Sequence, residues 1–225
     1  EHVYTAKKAE EKYFLTDATE ESAATYRKSC KYCGKASEND ADVFTHGKTL
    51  AFYESQNKEY YTPTSLTVSL YDAANNIYGF NWNTTREPGR AAVVYQKGKV
   101  INDEAEKIIA EAVMYKSYEV GDPDAEIRYY VCKTEIKLEP NEVYTYRVCD
   151  LYADTALADV TITAADSKAE AFTFTHLSDS QVGISNLNNS TTGTGAFFGN
   201  VLREVLNGES DFIVHTGDVV EYSKY

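Results

Sequence analysis

The fold of the middle of this chain is decided by two runs of sequence, Tyr129-Tyr-Val-Cys-Lys-Thr-Glu-Ile-Lys-Leu138 and Tyr144-Thr-Tyr-Arg-Val-Cys149. Both are rich in the aromatic and β-branched residues that favour strands. Glu139-Pro140-Asn141 separates them, and proline and asparagine are typical turn residues. This stretch therefore predicts two strands joined by a tight turn.

The same pattern continues on both sides of these two runs. Alternating or aromatic segments also occur at residues 65–71, 77–83, 92–95 and 159–163. Residues 104–115 fit a helical stripe as well as a strand, and we interpret them as a strand. Short strands separated by turn residues across residues 61–165 predict a β-sandwich.

The turn between the first two runs carries a resemblance. Leu138-Glu-Pro140-Asn-Glu-Val-Tyr144 resembles the corner of fibronectin type III domains, in which a tyrosine hydroxyl bonds back to the chain. That resemblance implies that Trp82 is the buried tryptophan of an early strand. The alternative is that Trp82 and Tyr144 are ordinary core aromatics. Neither interpretation assigns them a function.

Residues 168–225 change in character, which places a domain boundary near residue 165. An alternating segment at 172–177 precedes a polar loop at 185–195 and an amphipathic helix at 196–206. Asn207-Gly208 provides the helix stop. A near-continuous apolar segment at 212–214 follows, which we expect to be a buried strand. Strand, helix and strand in this order predict a βαβ unit with parallel strands.

Each of these two strands leads to an acidic residue, Asp179 after the first and Asp218 after the second. We expect both at one edge of the sheet, where carboxylates can hold a pair of divalent metals that activate water. Gln181 and Glu221 lie nearby in the sequence. The alternative is that each Asp caps a helix or serves a turn.

The two motifs resemble a known family. Leu177-Ser-Asp179-Ser-Gln181 and Gly217-Asp218-Val-Val-Glu221 are similar to the first two motifs of the calcineurin-like metallophosphoesterases. The preceding fibronectin-like domain resembles the N-terminal domain of purple acid phosphatases. The resemblance implies that Asp179 binds one metal, that Asp218 bridges two, and that the enzyme hydrolyses a phosphate ester. Gln181 and Glu221 depart from the family pattern, so Mn, Fe, Zn, Mg and Ca all remain open.

The later motifs of that family, Gly-Asn-His-Asp/Glu and Gly-His-x-His, do not occur in this sequence. Its four histidines lie elsewhere, and we expect His176 and His215 to be buried or packed. We therefore expect the N-terminal part of a longer enzyme, truncated after its second motif and itself inactive. One alternative is a cell-surface adhesion or binding module without a catalytic role. Another is that a second chain supplies the missing half.

Residues 1–60 are polar and contain a Cys30-x-x-Cys33-Gly turn. A local disulfide or a bound zinc ion would suit this pair, with His46 as a third ligand and no evident fourth. Residues 24–34 resemble short modules of exported surface proteins of gut Firmicutes. Cys132 and Cys149 form a second pair that is either bridged, as in exported proteins, or buried as two separate thiols.

Composition restricts the partners. The chain has 22 basic and 35 acidic residues in 225, a net charge of −13, which argues against nucleic acid and anionic membranes as partners. No apolar run has transmembrane length, and no signal-peptide pattern is present. The sequence starts at Glu1 and its only methionine is Met114, so we expect a processed or trimmed chain. The resemblance of residues 24–34 to modules of exported surface proteins implies a location outside a bacterium or on its surface. The oligomeric state stays open.

Overall fold

The structure is a computed structural model that describes residues 2–119, 122–166, 171–178, 180, 191–208 and 210–217. Most of the regular structure is strand, arranged in several antiparallel sheets, which confirms the predicted mostly-β class. The chain divides into two compact units, Glu1–Ser167 and Lys168–Tyr225. Each unit is described separately below.

The first unit begins with short strands and turns. β1 pairs antiparallel with β4, and β2, β3 and β5 form a three-stranded antiparallel sheet. A short helix α1 follows, which Thr49 caps by accepting a hydrogen bond from the Phe52 N–H at 3.2 Å. The bounds are β1 Tyr4–Ala6, β2 Phe14–Thr16, β3 Ala24–Arg27, β4 Ser29–Cys30, β5 Val43–His46 and α1 Leu50–Glu54, with 3-10 turns at Glu11–Tyr13 and Lys58–Tyr61.

Two larger antiparallel sheets make up the rest of the first unit. One has the order β10-β11-β7-β6; the other has the order β9-β8-β12, with β13 and β14 both pairing with β12. The bounds are β6 Thr64–Asp72, β7 Ile77–Thr84, β8 Ala91–Lys97, β9 Glu106–Ile109, β10 Glu111–Glu119, β11 Asp122–Lys137, β12 Val143–Asp150, β13 Thr155–Ala156 and β14 Val160–Thr163. The strand interpretation of residues 104–115 is confirmed, because β9 and β10 occupy that segment.

These two sheets share one hydrophobic core. Phe80 and Trp82 on β7 are each 1% exposed, and Val93 on β8 and Val148 on β12 are fully buried. The Phe80 ring meets the Tyr146 ring edge to face at a centroid distance of 5.0 Å. Complete burial of one such side chain contributes about 1.5–3 kcal/mol, so this core dominates the stability of the unit.

The Tyr144 side chain bonds back to the turn between β11 and β12, as the resemblance of this turn implies. The Tyr144 hydroxyl accepts a hydrogen bond from the backbone N–H of Glu139 at 3.2 Å. On the other side of the turn, the Asn76 side-chain amide donates to the Leu138 carbonyl oxygen at 2.9 Å. These two bonds fix the path of the chain from one sheet to the other.

The second unit contains two parallel strands with a helix between them in the sequence. β15 (Phe174–Leu177) pairs in parallel with β16 (Phe212–His215), and α2 covers Thr191–Leu206. The helix ends where Asn207 and Gly208 were expected to stop it. It begins five residues before the predicted start, because a polar first turn carries no apolar stripe and contains Gly and Thr, which have low helix propensity.

One expectation about this unit is wrong. Phe212 and Ile213 on β16 are 44% and 38% exposed, so these residues do not form a buried strand. Phe174 on β15 is 53% exposed, and its ring stacks on that of Phe212 at a centroid distance of 5.6 Å. An apolar sequence predicts burial only when enough neighbouring structure covers both faces of the sheet.

Candidate functional site

The four predicted metal ligands lie outside the described residues. They are Asp179, Gln181, Asp218 and Glu221. The structure does describe the strands that precede them. The described part of this candidate site consists of the ends of β15 and β16.

The ends of the two strands are in register. Leu177 on β15 lies opposite His215 on β16, and the pairing continues one step further because the Thr216 N–H donates to the Leu177 carbonyl oxygen at 3.0 Å. Gly217 follows with φ at +121°, a conformation that favours glycine over residues with a side chain.

Two histidines form hydrogen bonds across these strand ends. His176 Nε2 lies 2.8 Å from the Thr216 hydroxyl, and His215 Nε2 lies 3.1 Å from the Ser180 hydroxyl. His215 is half-buried, and its ring meets Phe198 of α2 edge to face. His176 is exposed, so the expectation that both histidines are buried or packed is wrong for this one. His176 precedes Leu177, the residue opposite His215, by one register step, so the alternation of side chains puts the two histidines on opposite faces of the two-stranded sheet.

The N-terminal cysteine pair lies next to a histidine, but a different one from the sequence expectation. A ring nitrogen of His2 and the sulfurs of Cys30 and Cys33 all lie within 4.8 Å of one another. His46 on β5 instead packs edge to face on Tyr26, so it is not the third member of this group. Pairing of β1 with β4 places Tyr4 opposite Cys30 and thereby brings His2 to the turn.

The two thiols of this turn differ in environment. Both are free; Cys30 is 3% exposed, whereas Cys33 is exposed. The backbone N–H groups of Cys33 and Tyr32, together with the His2 ring, lower the pKa of Cys30 below its ordinary value.

Cys132 and Cys149 are also free thiols in the structure. They lie on β11 and β12, which belong to different sheets, and the Cys149 thiol donates to the Ala92 carbonyl oxygen at 3.6 Å. Burial raises the pKa of Cys132 to about 12 and that of Cys149 to about 11. Of the two alternatives for this pair, the structure contains separately buried thiols.

The first unit also contains a cavity of about 450 Å³ with aromatic walls and cationic groups. Sequence reasoning missed it, because its lining comes from many separate segments and no local motif marks it. Arg86 at its edge lies over the Tyr60 ring at 4.5 Å from the centroid. The side chains that line the cavity include those of Tyr26, Tyr53, Tyr61, Arg128, Tyr130 and Tyr152.

Comparison with known proteins gives no family assignment: no protein-family profile matches this chain, and no curated protein matches it. α1 and α2 are the α-helices among the described residues, and neither has the length and apolar composition needed to cross a membrane.

Proposed function

We propose that this chain is part of a metal-dependent phosphoesterase, with a dinuclear site at the carboxyl ends of β15 and β16. One observation carries the proposal, the in-register parallel pairing of Leu177 with His215. Ligands in open sheets of parallel strands collect at the carboxyl ends of the strands. Both acidic motifs follow this edge in the sequence.

The chain length after each strand permits a shared ion. Asp179 is two residues beyond Leu177 and Asp218 is three beyond His215. These spans reach at most about 7 and 11 Å, and neighbouring strands are about 4.8 Å apart. Two carboxylates on such short tethers are within reach of one ion or of a pair.

The donor set fits hard or borderline divalent ions. Asp179 and Asp218 would hold the metals, with the Gln181 amide and the Glu221 carboxylate as further oxygen donors. When bound, such ions supply a Lewis acid and an activated water for attack on a phosphate ester. The chain's own contribution would be to position the two acidic loops, through the bonds of His176 to Thr216 and His215 to Ser180.

The order of strands in the first unit supports its proposed resemblance to the N-terminal domain of purple acid phosphatases. Sheets β6-β7-β11-β10 and β9-β8-β12-β14 follow the ABED and CFG arrangement of immunoglobulin-type sandwiches, with β9 as an added edge strand. The bond from Glu139 N–H to Tyr144 is the feature expected of a tyrosine corner. These features support the proposal that residues 61–165 form a fibronectin III-like domain, similar to the one that precedes the catalytic domain in purple acid phosphatases.

Metal binding by the purified 225-residue chain tests the proposal. We expect Mn²⁺ to bind, with the free Mn²⁺ signal measured by electron paramagnetic resonance, and Asp218→Asn to weaken binding by roughly tenfold or more. Asp103→Asn is the matched control, because Asp103 is an exposed acidic residue of the first unit. The proposal is overturned if the Asp179→Asn, Asp218→Asn double variant binds Mn²⁺ as tightly as the Asp103→Asn control does.

An activity measurement examines the expectation of inactivity. The later histidine motifs are not in this sequence, so the 225 residues should not turn over an aryl phosphate with added Mn²⁺. Turnover that Asp218→Asn abolishes would show that these residues suffice for catalysis and would contradict the expectation of an inactive fragment.

A second candidate function is a binding module, and the cavity of the first unit favours it. Tyr26, Tyr130 and Tyr152 offer aromatic faces, and Arg128 offers hydrogen-bond donors. Sugars stack on such faces, so we expect binding of bacterial glycans or cell-wall material in a pull-down. Tyr130→Ala should abolish it, whereas Tyr115→Ala and the Asp179, Asp218 double variant should not. Binding unaffected by Tyr130→Ala would remove this candidate.

A further inference from the structure

The turn at Cys30–Cys33 holds three metal-ligating groups at the separation that one ion requires. His2 Nδ1 lies 3.4 Å from the Cys33 sulfur, and a His2 ring nitrogen and the sulfurs of Cys30 and Cys33 all lie within 4.8 Å of one another. In tetrahedral zinc sites, Zn–S and Zn–N bonds near 2.3 and 2.05 Å put a sulfur and a nitrogen ligand ~3.6 Å apart. The observed sulfur-to-nitrogen distance therefore matches the edge of a zinc tetrahedron.

Backbone hydrogen bonds fix the cysteine side of this group. Gly34 N–H donates to the Cys30 carbonyl oxygen at 2.9 Å, and Cys30 N–H donates to the Lys35 carbonyl oxygen at 2.8 Å. Gly34 has φ at +72°, which allows the chain to fold back beneath the sulfurs. The Tyr13 hydroxyl donates to the Gly34 carbonyl oxygen at 2.6 Å and holds the turn from the opposite side.

The histidine side is fixed by strand pairing. Lys31 N–H donates to the Val3 carbonyl oxygen at 3.0 Å, directly after His2, and Tyr4 lies opposite Cys30. The His2 ring also contacts the Tyr4 ring at a centroid distance of 5.6 Å. His2 is thus aligned with the turn by backbone pairing, and its position does not depend on the side-chain contact alone.

We propose that His2, Cys30 and Cys33 form a mononuclear site for a thiophilic divalent cation, with Zn²⁺ as the preferred ion. Two thiolates and one imidazole fill three positions of a tetrahedron and leave the fourth to water or a small exogenous ligand. Soft sulfur ligands separate this site from the oxygen-donor site of the second unit, which suits harder ions. The inference does not depend on the proposed phosphoesterase function.

Cobalt titration of the reduced, chelator-treated chain tests this site, with any affinity tag at the C-terminus. We expect one equivalent of Co²⁺ to produce a near-ultraviolet sulfur-to-cobalt charge-transfer band together with the visible bands of tetrahedral cobalt. Zn²⁺ should remove both. Cys33→Ser suits the test because Cys33 is exposed, so the variant should fold.

Substitutions of the proposed ligands and of control residues identify which side chains bind the ion. His2→Gln and Cys33→Ser should each weaken Co²⁺ and Zn²⁺ affinity by roughly tenfold or more. His46→Gln is the matched control for the histidine and should leave both affinities unchanged. The Asp179→Asn, Asp218→Asn double variant should keep the cobalt spectrum, which separates this site from the phosphoesterase proposal.

Three results would overturn the proposal. The first is no charge-transfer band with the reduced protein. The second is a band that His2→Gln leaves unchanged, which would remove His2 as a ligand. The third is formation of a Cys30–Cys33 disulfide in air that added Zn²⁺ does not prevent, which would make this turn a redox pair.

Discussion

Leu177 on β15 lies directly opposite His215 on β16 in parallel register, and the bond from Thr216 N–H to the Leu177 carbonyl oxygen extends this pairing to the last step before the acidic motifs. The two parallel strands therefore end side by side. As a result, the motifs at Asp179 and Asp218, which are 39 residues apart in sequence, both follow the same edge of the sheet. The phosphoesterase proposal depends on this relationship.

Asp150 should be a major contributor to the stability of the first unit. It is 1% exposed, and its carboxylate accepts hydrogen bonds from the backbone N–H groups of Gly89, Arg90, Tyr152 and Ala153 at 2.7–3.2 Å. Removing the acceptor leaves these donors buried without a partner. We expect Asp150→Ala to lower the free energy of unfolding by about 3 kcal/mol or more, measured by urea denaturation.

The control for Asp150 is Asp40→Ala, which removes a carboxylate with a side chain that is 97% exposed and pairs with Arg27. Exposed ion pairs contribute little, so this variant should unfold at the urea concentration of the unchanged protein. If both variants shift the midpoint equally, the backbone hydrogen bonds of Asp150 do not account for its effect.

Tyr144→Phe tests the corner between β11 and β12. The variant keeps the buried ring but removes the oxygen that accepts the Glu139 N–H. We expect a loss of about 1 kcal/mol in the free energy of unfolding. Tyr115→Phe, at a tyrosine that is 48% exposed, is the control and should have no effect. If Tyr144→Phe is as stable as Tyr115→Phe, the hydrogen bond from Glu139 N–H to the Tyr144 hydroxyl is absent in solution.

Alanine substitutions at Gly89 and Gly79 form a matched pair of variants that tests how tightly the first unit is packed. A Cβ atom at Gly89 would lie 2.7 Å from Tyr152 Cβ and 2.8 Å from Tyr53 Cζ, whereas one at Gly79 would meet no atom closer than 3.5 Å. We expect Gly89→Ala to destabilise the unit by about 1–3 kcal/mol through overpacking. Gly79→Ala should be tolerated, since alanine restricts the unfolded chain. Equal thermal midpoints for the two variants would contradict this packing.

The buried thiols should be unreactive in the native protein. Because burial raises the pKa of Cys132 to about 12 and that of Cys149 to about 11, both stay protonated at pH 8, and their thiolate fraction grows only as the pH rises toward those values. A thiol reagent at pH 8 should therefore modify Cys33 in the native state and all four cysteines after denaturation. Cys33→Ser should abolish the native reaction. If only two of the four cysteines react in denaturant without a reductant, the other two form a disulfide.

The sequence predicted local features well, because they depend on neighbouring residues. Alternation and aromatic content predict the strands around Trp82 and Tyr146, and the resemblance of residues 138–144 to a fibronectin-type corner implies the Tyr144 hydrogen bond. The parallel pairing of β15 with β16 follows from the order strand, helix, strand.

Long-range contacts could not be predicted in the same way. His2 reaches Cys33 only because β1 pairs with β4, a register that no local pattern marks, so His46 was an equally reasonable third ligand. The exposure of Phe212 depends on which structure covers the sheet, and apolar sequence alone does not report that. The aromatic cavity combines residues from distant segments for the same reason.

The most direct test of the central claim is an anomalous difference map from a crystal of this chain grown or soaked with Mn²⁺. We predict Mn²⁺ density at the carboxyl ends of β15 and β16, with carboxylate oxygens of Asp179 and Asp218 at about 2.0–2.2 Å from the ions and Asp218 shared between two peaks. Density that lacks contact with both carboxylates, or no density at this edge at saturating Mn²⁺, would contradict the account.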